Sequence, residues 1–308
     1  AKFTRGFKAP PPTQLYQVQG SQQFLSSVTG DPLYTCTTDC SRITNGVRTY
    51  NVPTTLAPNP NLRPETSRQQ IYSVSWQPTG PLSGLNVAVT YNRNRIRNQF
   101  ATTKELFFYI PALDILKIPL FYPRDPVTNK VIAYNNARYN IVGSRYESIA
   151  YEASYLFYTG IGSFQPKITY IDNIVAETTG LTEAQKIDQR GRILGIDKYK
   201  MVGSVQWNWN KVSTNLYVYH TPSYLNDYYS FYAAGVQQNP ELIRRVKPLT
   251  TVDLSVSWVV SKQLNVQLAG RNIFKTAAPF TVVDSLPYDT ARYNVEGRSL
   301  MLSARLSM

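Results

Sequence analysis

Histidine and cysteine are almost absent from this 308-residue sequence. His220 is the only histidine, and it stands beside Thr221 and Pro222 with no serine or carboxylate at motif spacing. A catalytic triad or a metal site built on His220 is therefore disfavoured. No glycine-rich phosphate loop of the Walker or Rossmann form is present either. We expect the protein not to be an enzyme and to hold no cofactor or metal.

Long hydrophobic runs are also missing. Hydrophobic residues make up 43% of the sequence, and the mean hydropathy is −0.29. No segment approaches the roughly 18 apolar residues that a membrane-spanning helix needs. Short strands that alternate apolar and polar residues would also give a low mean hydropathy while still crossing a membrane.

Acidic residues are fewer than basic ones, 19 against 32, which gives a formal net charge of +13. Such an excess is one mark of nucleic-acid binding. Here the basic residues are scattered, and no helix-turn-helix, finger or RNP-type motif accompanies them. We therefore expect no nucleic-acid partner.

The two cysteines, Cys36 and Cys40, are separated by three residues in a loop-like stretch. A local disulfide in an oxidising compartment is the favoured interpretation. The alternative is a metal-binding pair, which has no further ligands nearby.

What the chain does contain is two-residue alternation. Within the last twelve residues, Gly297–Met308, every second residue from Leu300 to Met308 is apolar, and the residues between them are mostly small or polar. A strand of this kind needs a neighbour on each side, which a closed barrel supplies. About 9–11 alternating residues cross a bilayer when the strand is tilted. Ten strands are predicted in all, near 1–7, 67–77, 85 onward, 131–158, 164–177, 198–209, 212–222, 249–260, 264–273 and 298–308.

Long and short connections alternate between these strands. The long ones are predicted near 8–66, 101–129, 177–197, 222–247 and 275–296. Short periplasmic turns and long extracellular loops are typical of outer-membrane barrels. The first long connection exceeds 50 residues, so we expect it to be a functional or a disordered loop. The predicted fold class is all-β, an antiparallel transmembrane β-barrel.

Strand parity predicts which side chains face lipid. Met201, Gly203 and Val205 would point outward, whereas Lys200 and Ser204 would point into the lumen. Every tryptophan occupies a strand position whose side chain would point outward, just before a short turn. This placement predicts an aromatic belt at the periplasmic interface. These are Trp76, Trp207, Trp209 and Trp258.

Five motifs then follow in a recognisable order. They are Gly6–Pro10 with Gln14–Tyr16, Asn59–Ser67, Tyr151–Tyr155, Gly270–Phe274, and Tyr288 through Arg298. Together they resemble the FRAP-type box, the NPNL-x-PE-x-S box, the GVEAS strand, the N-L-F element and the Y-N-x-x-G-R approach to the last strand of TonB-dependent outer-membrane receptors. The chain resembles the C-terminal part of that barrel from end to end.

The resemblance implies about ten C-terminal strands of a barrel of about 22, with the plug domain and the early strands absent from this sequence. It implies a location in the outer membrane of a Gram-negative bacterium, in contact with lipid and lipopolysaccharide. The implied function is uptake of a scarce nutrient, such as a ferric siderophore or an oligosaccharide, driven by the TonB complex through that plug. The alternative is a passive pore or an adhesin. Haem ligation by histidine is disfavoured because no histidine lies between the first two boxes.

Two groups of residues are candidates for binding. Aromatic residues of the long loops, with nearby arginines, are candidates for capturing an extracellular ligand, and loop-on-loop packing is the alternative. They are Phe107, Phe108, Tyr109, Tyr224, Tyr228, Tyr229, Phe231, Tyr232, Arg244 and Arg245. Arg93, Arg95 and Arg97 continue the outward parity of their strand beyond the membrane edge. They are interpreted either as a solvated extension or as a contact for lipopolysaccharide phosphates.

Overall fold

The computed structural model describes residues 1–16, 25–34, 42–44, 47–55, 58–102, 105, 115–193, 195–226, 244–281, 287–293 and 297–306. These residues are nearly all β, with one short helix, α1 (Pro12–Tyr16), and one 3-10 turn at Gly80–Leu82. The described strands are β1 (Lys2–Lys8), β2 (Leu25–Thr29), β3 (Arg42–Thr44), β4 (Val47–Thr55), β5 (Glu65–Trp76), β6 (Leu85–Thr102), β7 (Tyr134–Asn135), β8 (Arg138–Tyr155), β9 (Phe157–Thr159), β10 (Gly162–Thr179), β11 (Lys186–Asp188), β12 (Tyr199–Trp209), β13 (Val212–Thr221), β14 (Tyr224–Asn226), β15 (Arg244–Val246), β16 (Leu249–Val259), β17 (Leu264–Arg271) and β18 (Ser299–Leu306). Among the described residues, no helix is long and apolar enough to cross a membrane.

Ten strands form the main sheet, and each pairs antiparallel with the next one along the chain. Their order is β1, β5, β6, β8, β10, β12, β13, β16, β17 and β18, with β9 and β11 attached to β10. In the described part of the chain this sheet is open, with β1 and β18 at its edges. The predicted all-β antiparallel fold is confirmed. One predicted strand, 131–158, is divided in the structure into β7, β8 and β9.

The register keeps one face of the sheet apolar and the other polar. Val74 lies opposite Val89, and Val89 lies opposite Tyr151 in the next strand. Farther along, Val205 pairs with Leu216 and Leu216 with Leu254. We call this the apolar face. The opposite, polar face carries side chains such as those of Ser73, Thr90, Ser204, Asn215, Ser255, Gln267 and Ser303.

The two ends of the sheet differ in the length of their connections. At the short-turn end the strands are joined by residues 77–84, 156–161, 210–211 and 260–263. At the long-loop end they are joined by residues 9–64, 103–137, 180–198, 222–248 and 272–298. The predicted alternation is therefore present. All four tryptophans lie on the apolar face near the short-turn end, as predicted.

Two rows of aromatic rings border the apolar face. The row near the short-turn end was expected from the tryptophans, and its successive ring centroids are 5.6, 5.6, 6.1 and 6.2 Å apart along Tyr155, Phe157, Phe164, Trp207 and Trp209. A second row, nearer the long loops, was not predicted. It contains Phe3, Tyr72, Tyr91, Tyr151, Tyr170, Tyr199 and His220. An apolar band between two aromatic girdles is the arrangement expected of a barrel wall in a bilayer.

The first test concerns this assignment of faces. Ile168 lies on the apolar face of β10, opposite Ala153 and Gly203. Ile168→Arg should destabilise the embedded full-length protein by about 2–4 kcal/mol, because a charge near the bilayer midplane faces lipid. Thr169→Arg, one residue along on the polar face, is the matched control and should cost far less. Urea unfolding in lipid vesicles, followed by tryptophan fluorescence, measures both, and equal losses would contradict the assignment.

Candidate functional site at the long-loop end

The motif at Asn59–Ser67 ties the first long connection to the start of β8. The Asn59 side chain donates to the backbone carbonyl of Arg138 at 2.9 Å. Four residues on, the backbone of Arg63 exchanges two hydrogen bonds with the side chain of Asn140, at 2.7 and 2.8 Å. Asn59 and Asn140 are therefore structural residues, because they replace the ladder bonds that the strands lose where they end.

Glu65 joins the first two motifs. Its carboxylate accepts the backbone N–H of Phe100 at 2.6 Å and pairs with Lys8 at 3.4 Å. The ammonium of Lys8 also lies 5.4 Å from the centre of the Phe100 ring. The end of β1, the start of β5 and the end of β6 are thus held together at the base of the loops.

The first and second long loops pack on each other as a folded unit. Strands β2, β3 and β4 form a small sheet, and β7 from the second loop pairs parallel with β4. Its hydrophobic core is almost fully buried and contains Val28, Tyr50, Val52, Ile115, Phe121 and Val131. We call it the first loop core. The described part of the first long connection therefore has regular structure rather than the disorder that its length allowed.

A buried ion pair lies inside the first loop core. Arg124 donates to both oxygens of Asp31, at 2.8 and 3.0 Å, and their side chains are 9% and 1% exposed. The hydroxyl of Tyr50 donates to the same carboxylate at 2.6 Å. Burial alone would raise the pKa of Asp31, but the bonds from Arg124, Tyr50 and the Leu33 N–H outweigh burial and hold it below its ordinary value. Burial beside this carboxylate also raises the pKa of Tyr50 well above its ordinary value.

The third, fourth and fifth long loops meet in a second core. Ile193, Tyr224, Val246 and Tyr293 are its buried members, and Tyr224 is 0% exposed. Strands β14 and β15 form a two-stranded ribbon beside it. We call this group the second loop core.

Arg292 is the centre of the second loop core. Its guanidinium donates to Asp197 at 2.7 Å and to Asp289 at 2.6 Å, and it lies 4.2 Å from the centre of the Tyr224 ring. It also donates to the backbone carbonyls of Arg192 and Gly195, at 2.9 and 3.1 Å. Burial on its own would lower the pKa of Arg292, but the two carboxylates outweigh burial and raise it. One side chain thus fastens three loops to one another.

The predicted ligand residues divide into three groups. Tyr224, a candidate for capturing an extracellular ligand, is instead buried against Tyr293 and Arg292, so the loop-on-loop packing alternative holds for it. Arg244 and Arg245 are exposed at the start of β15. Seven other aromatics and both cysteines lie outside the described residues. They are Phe107, Phe108, Tyr109, Tyr228, Tyr229, Phe231, Tyr232, Cys36 and Cys40.

The three candidate lipopolysaccharide arginines lie on the apolar face of β6, toward the long-loop end. Arg93 pairs with Glu147 of β8 at 3.0 Å, and Glu147 also accepts from Arg145 at 2.7 Å. Arg95 and Arg97 are exposed. Arg93 is therefore bound to a carboxylate of the sheet, because Glu147 is only 7% exposed. Strand parity alone could not reveal it, since Glu147 is 54 residues from Arg93 in the sequence.

The polar face carries a shallow cavity of about 350 Å³. Its polar lining includes Gln165, Lys167, Gln206 and Asn215. Lys167 pairs with Glu152 at 2.9 Å across β8 and β10. Within the described ranges, no three His, Cys, Asp or Glu side chains come together as a possible metal site.

Comparison with protein families gives one match, to the TonB-dependent receptor-like β-barrel, over residues 1–273. The chain belongs to this family. Comparison of the sequence with curated proteins gives no match.

Solved structures of siderophore receptors share the fold of the chain. It is similar to the ferric enterobactin receptor PfeA of Pseudomonas aeruginosa, with a TM-score of 0.61 at 16% identity over 99% of this chain and 37% of that one. For the siderophore receptor PirA of Acinetobacter baumannii the TM-score is 0.58 at 14% identity, over 99% of this chain and 38% of that one. For the pyoverdine receptor FpvA of Pseudomonas aeruginosa the TM-score is 0.50 at 13% identity, over 81% of this chain and 31% of that one. The chain therefore spans less than two fifths of the length of these receptors.

Within this TonB-dependent receptor barrel, the motifs that suggested the family act as structural anchors. Asn272, in the Gly270–Phe274 motif, has a positive φ of 46°. Its backbone N–H donates a hydrogen bond to the carboxylate of Asp253 at 2.8 Å. Asp289, Arg292 and Tyr293, in the last motif, belong to the second loop core. The motifs thus fix where strands end and loops begin.

The second loop core provides a test of its central arginine. Arg292→Ala would leave the carboxylates of Asp197 and Asp289 buried without a counter-charge, which typically costs about 3–5 kcal/mol. Hydrogen exchange of the β14 and β15 amides in the full-length protein should accelerate accordingly. Arg244→Ala removes an exposed arginine from the same ribbon and should leave their protection unchanged. Equal protection in the two variants would show that Arg292 does not hold the loops.

The first loop core should respond to acid through Asp31. Its folded pKa lies below the unfolded value of about 3.9, so its stabilisation is complete above that value and is lost as the pH falls through the folded pKa. Limited pepsin digestion from about pH 5 to about pH 2 should therefore cleave residues 25–55 more readily at the lower end. Asp31→Asn should already be susceptible at the upper end and show less pH dependence. A wild-type profile parallel to that of Asp31→Asn would contradict this role.

Proposed function

We propose that this chain is part of an outer-membrane receptor of a Gram-negative bacterium that takes up a ferric siderophore with energy from the TonB complex. The observation that carries the proposal is the family match over residues 1–273. It is supported by relatives of the same fold, which are receptors for ferric enterobactin and pyoverdine. Coupling to TonB would act through a plug domain that is not in this sequence.

The chemistry of the long-loop end suits an anionic ferric chelate. Arg244 and Arg245 are exposed on the ribbon that is packed on the second loop core. The ribbon is held firmly, because the side-chain amide of Asn226 donates a hydrogen bond to the hydroxyl of Thr281 at 2.5 Å and the nearby Tyr224 is buried. Two guanidinium groups on a fixed support attract an anion without a large ordering cost.

Capture and release need no covalent step in this proposal, so we propose a transporter rather than an enzyme. A passive pore or an adhesin is the competing function. Uptake of a ⁵⁵Fe-labelled siderophore by cells that express the full-length protein separates the two. Active uptake should disappear when TonB is deleted, whereas entry that persists without TonB would exclude the proposed function.

A binding test addresses the capture residues. Arg244→Gln/Arg245→Gln should weaken binding of an anionic ferric chelate by about 1–3 kcal/mol, because two charge-assisted contacts are lost. Replacing Tyr228, Tyr229 and Tyr232 together by alanine should cost about 2–4 kcal/mol if their rings stack on the ligand.

The matched control for the arginine pair is Lys211→Gln/Lys262→Gln, which removes two charges at the short-turn end. Its affinity should equal that of the wild type. Unchanged affinity in both folded loop variants would move the ligand site to the polar face, around Lys167 and Asn215.

A further inference from the structure

The third long loop touches both loop cores. We call its residues 180–198, which follow β10 and lead to β12, the bridging loop. At one end Leu181 packs on the first loop core. Farther along, Ile193 is a buried member of the second loop core. One loop therefore contacts both cores.

A closed turn holds the first end of the bridging loop in place. The carbonyl of Gly180 accepts the N–H of Val142 in β8 at 2.8 Å. The N–H of Gly180 donates to the carbonyl of Gln185 at 2.9 Å, and the N–H of Leu181 donates to the Gln185 side chain at 2.8 Å. The turn is thereby tied to β8, and the Leu181 side chain is kept against the first loop core.

Backbone pairing holds the second end. The N–H of Leu225 in β14 donates to the carbonyl of Gly191, and the N–H of Ile193 donates to the carbonyl of Leu225, both at 2.8 Å. The bridging loop therefore lies beside β14 as a third, parallel member of the ribbon. Arg292 holds the same stretch through two of its backbone carbonyls. A movement of the ribbon is thus passed to the bridging loop.

Hydrogen bonds in the middle of the bridging loop join its two ends. Arg190 donates to both oxygens of Asp188, at 2.8 and 3.0 Å, where β11 ends. It also donates to the carbonyl of Ile174, the extra residue at the bulge of β10. One residue earlier, the N–H of Gln189 donates to the carbonyl of Ala176 at 2.7 Å. Contiguous networks of hydrogen bonds and rigid elements carry energetic coupling between sites.

We propose that the bridging loop couples the stabilities of the two loop cores, so that the long loops open and close as one unit. Loosening one core then loosens the other, and the effect runs in both directions because coupling free energies are reciprocal. A ligand held by Arg244 and Arg245 stabilises the first loop core as well as the ribbon. This last consequence rests on the proposed function, whereas the coupling itself does not.

Hydrogen exchange of the full-length protein in detergent tests the coupling without a ligand, because amide exchange reports local opening. Arg292→Ala removes the centre of the second loop core. It should raise the exchange rates of the β2 and β4 amides about fivefold or more, which is the lower end of typical coupling between sites. In a Leu181→Ala background the same change should leave these rates close to those of the background. Unchanged β2 and β4 exchange in Arg292→Ala alone would overturn the proposal.

Leu120→Ala is the matched control, since it also shortens a leucine of a long loop, but one whose side chain is 54% exposed. Arg292→Ala should keep its full effect on β2 and β4 in this background. Equal effects in the Leu181→Ala and Leu120→Ala backgrounds would show that the bridging loop is not the route and overturn the proposal. If Arg292→Ala does not assemble, Asp31→Asn decides, because reciprocity requires it to raise exchange of the β14 and β15 amides. Unchanged exchange there overturns the proposal.

Ferric enterobactin, for which one relative is a receptor, is the probe for the effect of a ligand. Its binding should slow exchange in β2 and β4 as well as in β14 and β15. Protection confined to the ribbon would overturn the proposal. Failure of the probe to bind would count against the proposed function alone, since the variants test the coupling without it.

Discussion

The register of the main sheet is the constraint on which the rest of the structure depends. Because side chains alternate every two residues, a slip of one residue in any pair would move a whole strand of apolar side chains to the polar face. Apart from one bulge in β10, the register stays consistent across nine strand pairs, from Phe3 in β1 to Leu302 in β18. The apolar band and both aromatic rows exist only because of that consistency. Each is a line of residues from different strands at one height.

Buried charge organises the loops in a different way. Each loop core contains an arginine held by carboxylates, Arg124 by Asp31 and Arg292 by Asp197 and Asp289. Pairs of this kind add little net stability compared with apolar packing, but removing one partner is costly. They therefore favour one arrangement of the loops over others. Long loops that must present Arg244 and Arg245 at a fixed position need that selectivity more than they need extra stability.

The sequence predicts most of the sheet and little of the loops. Alternation is a local signal, so a few neighbouring residues are enough to predict the strands and to predict that the Trp207 and Trp258 side chains point outward. The loop cores depend on residues far apart in the chain, such as Arg292 and Asp197, 95 positions apart. Tyr224 resembles an exposed loop aromatic in sequence, but Arg292 and Tyr293, from another loop, bury it. No local pattern carries that information.

Parity also fails within one strand. In β10 the register shifts between Asn173 and Val175, with Ile174 as the extra residue. Without the shift, Ala176 would lie opposite Arg145, and Glu177 would point to the polar face. With it, Glu177 lies opposite Arg145 on the apolar face. A single extra residue thus places an acid beside an arginine near the long-loop end, and two-residue alternation alone could not predict that placement.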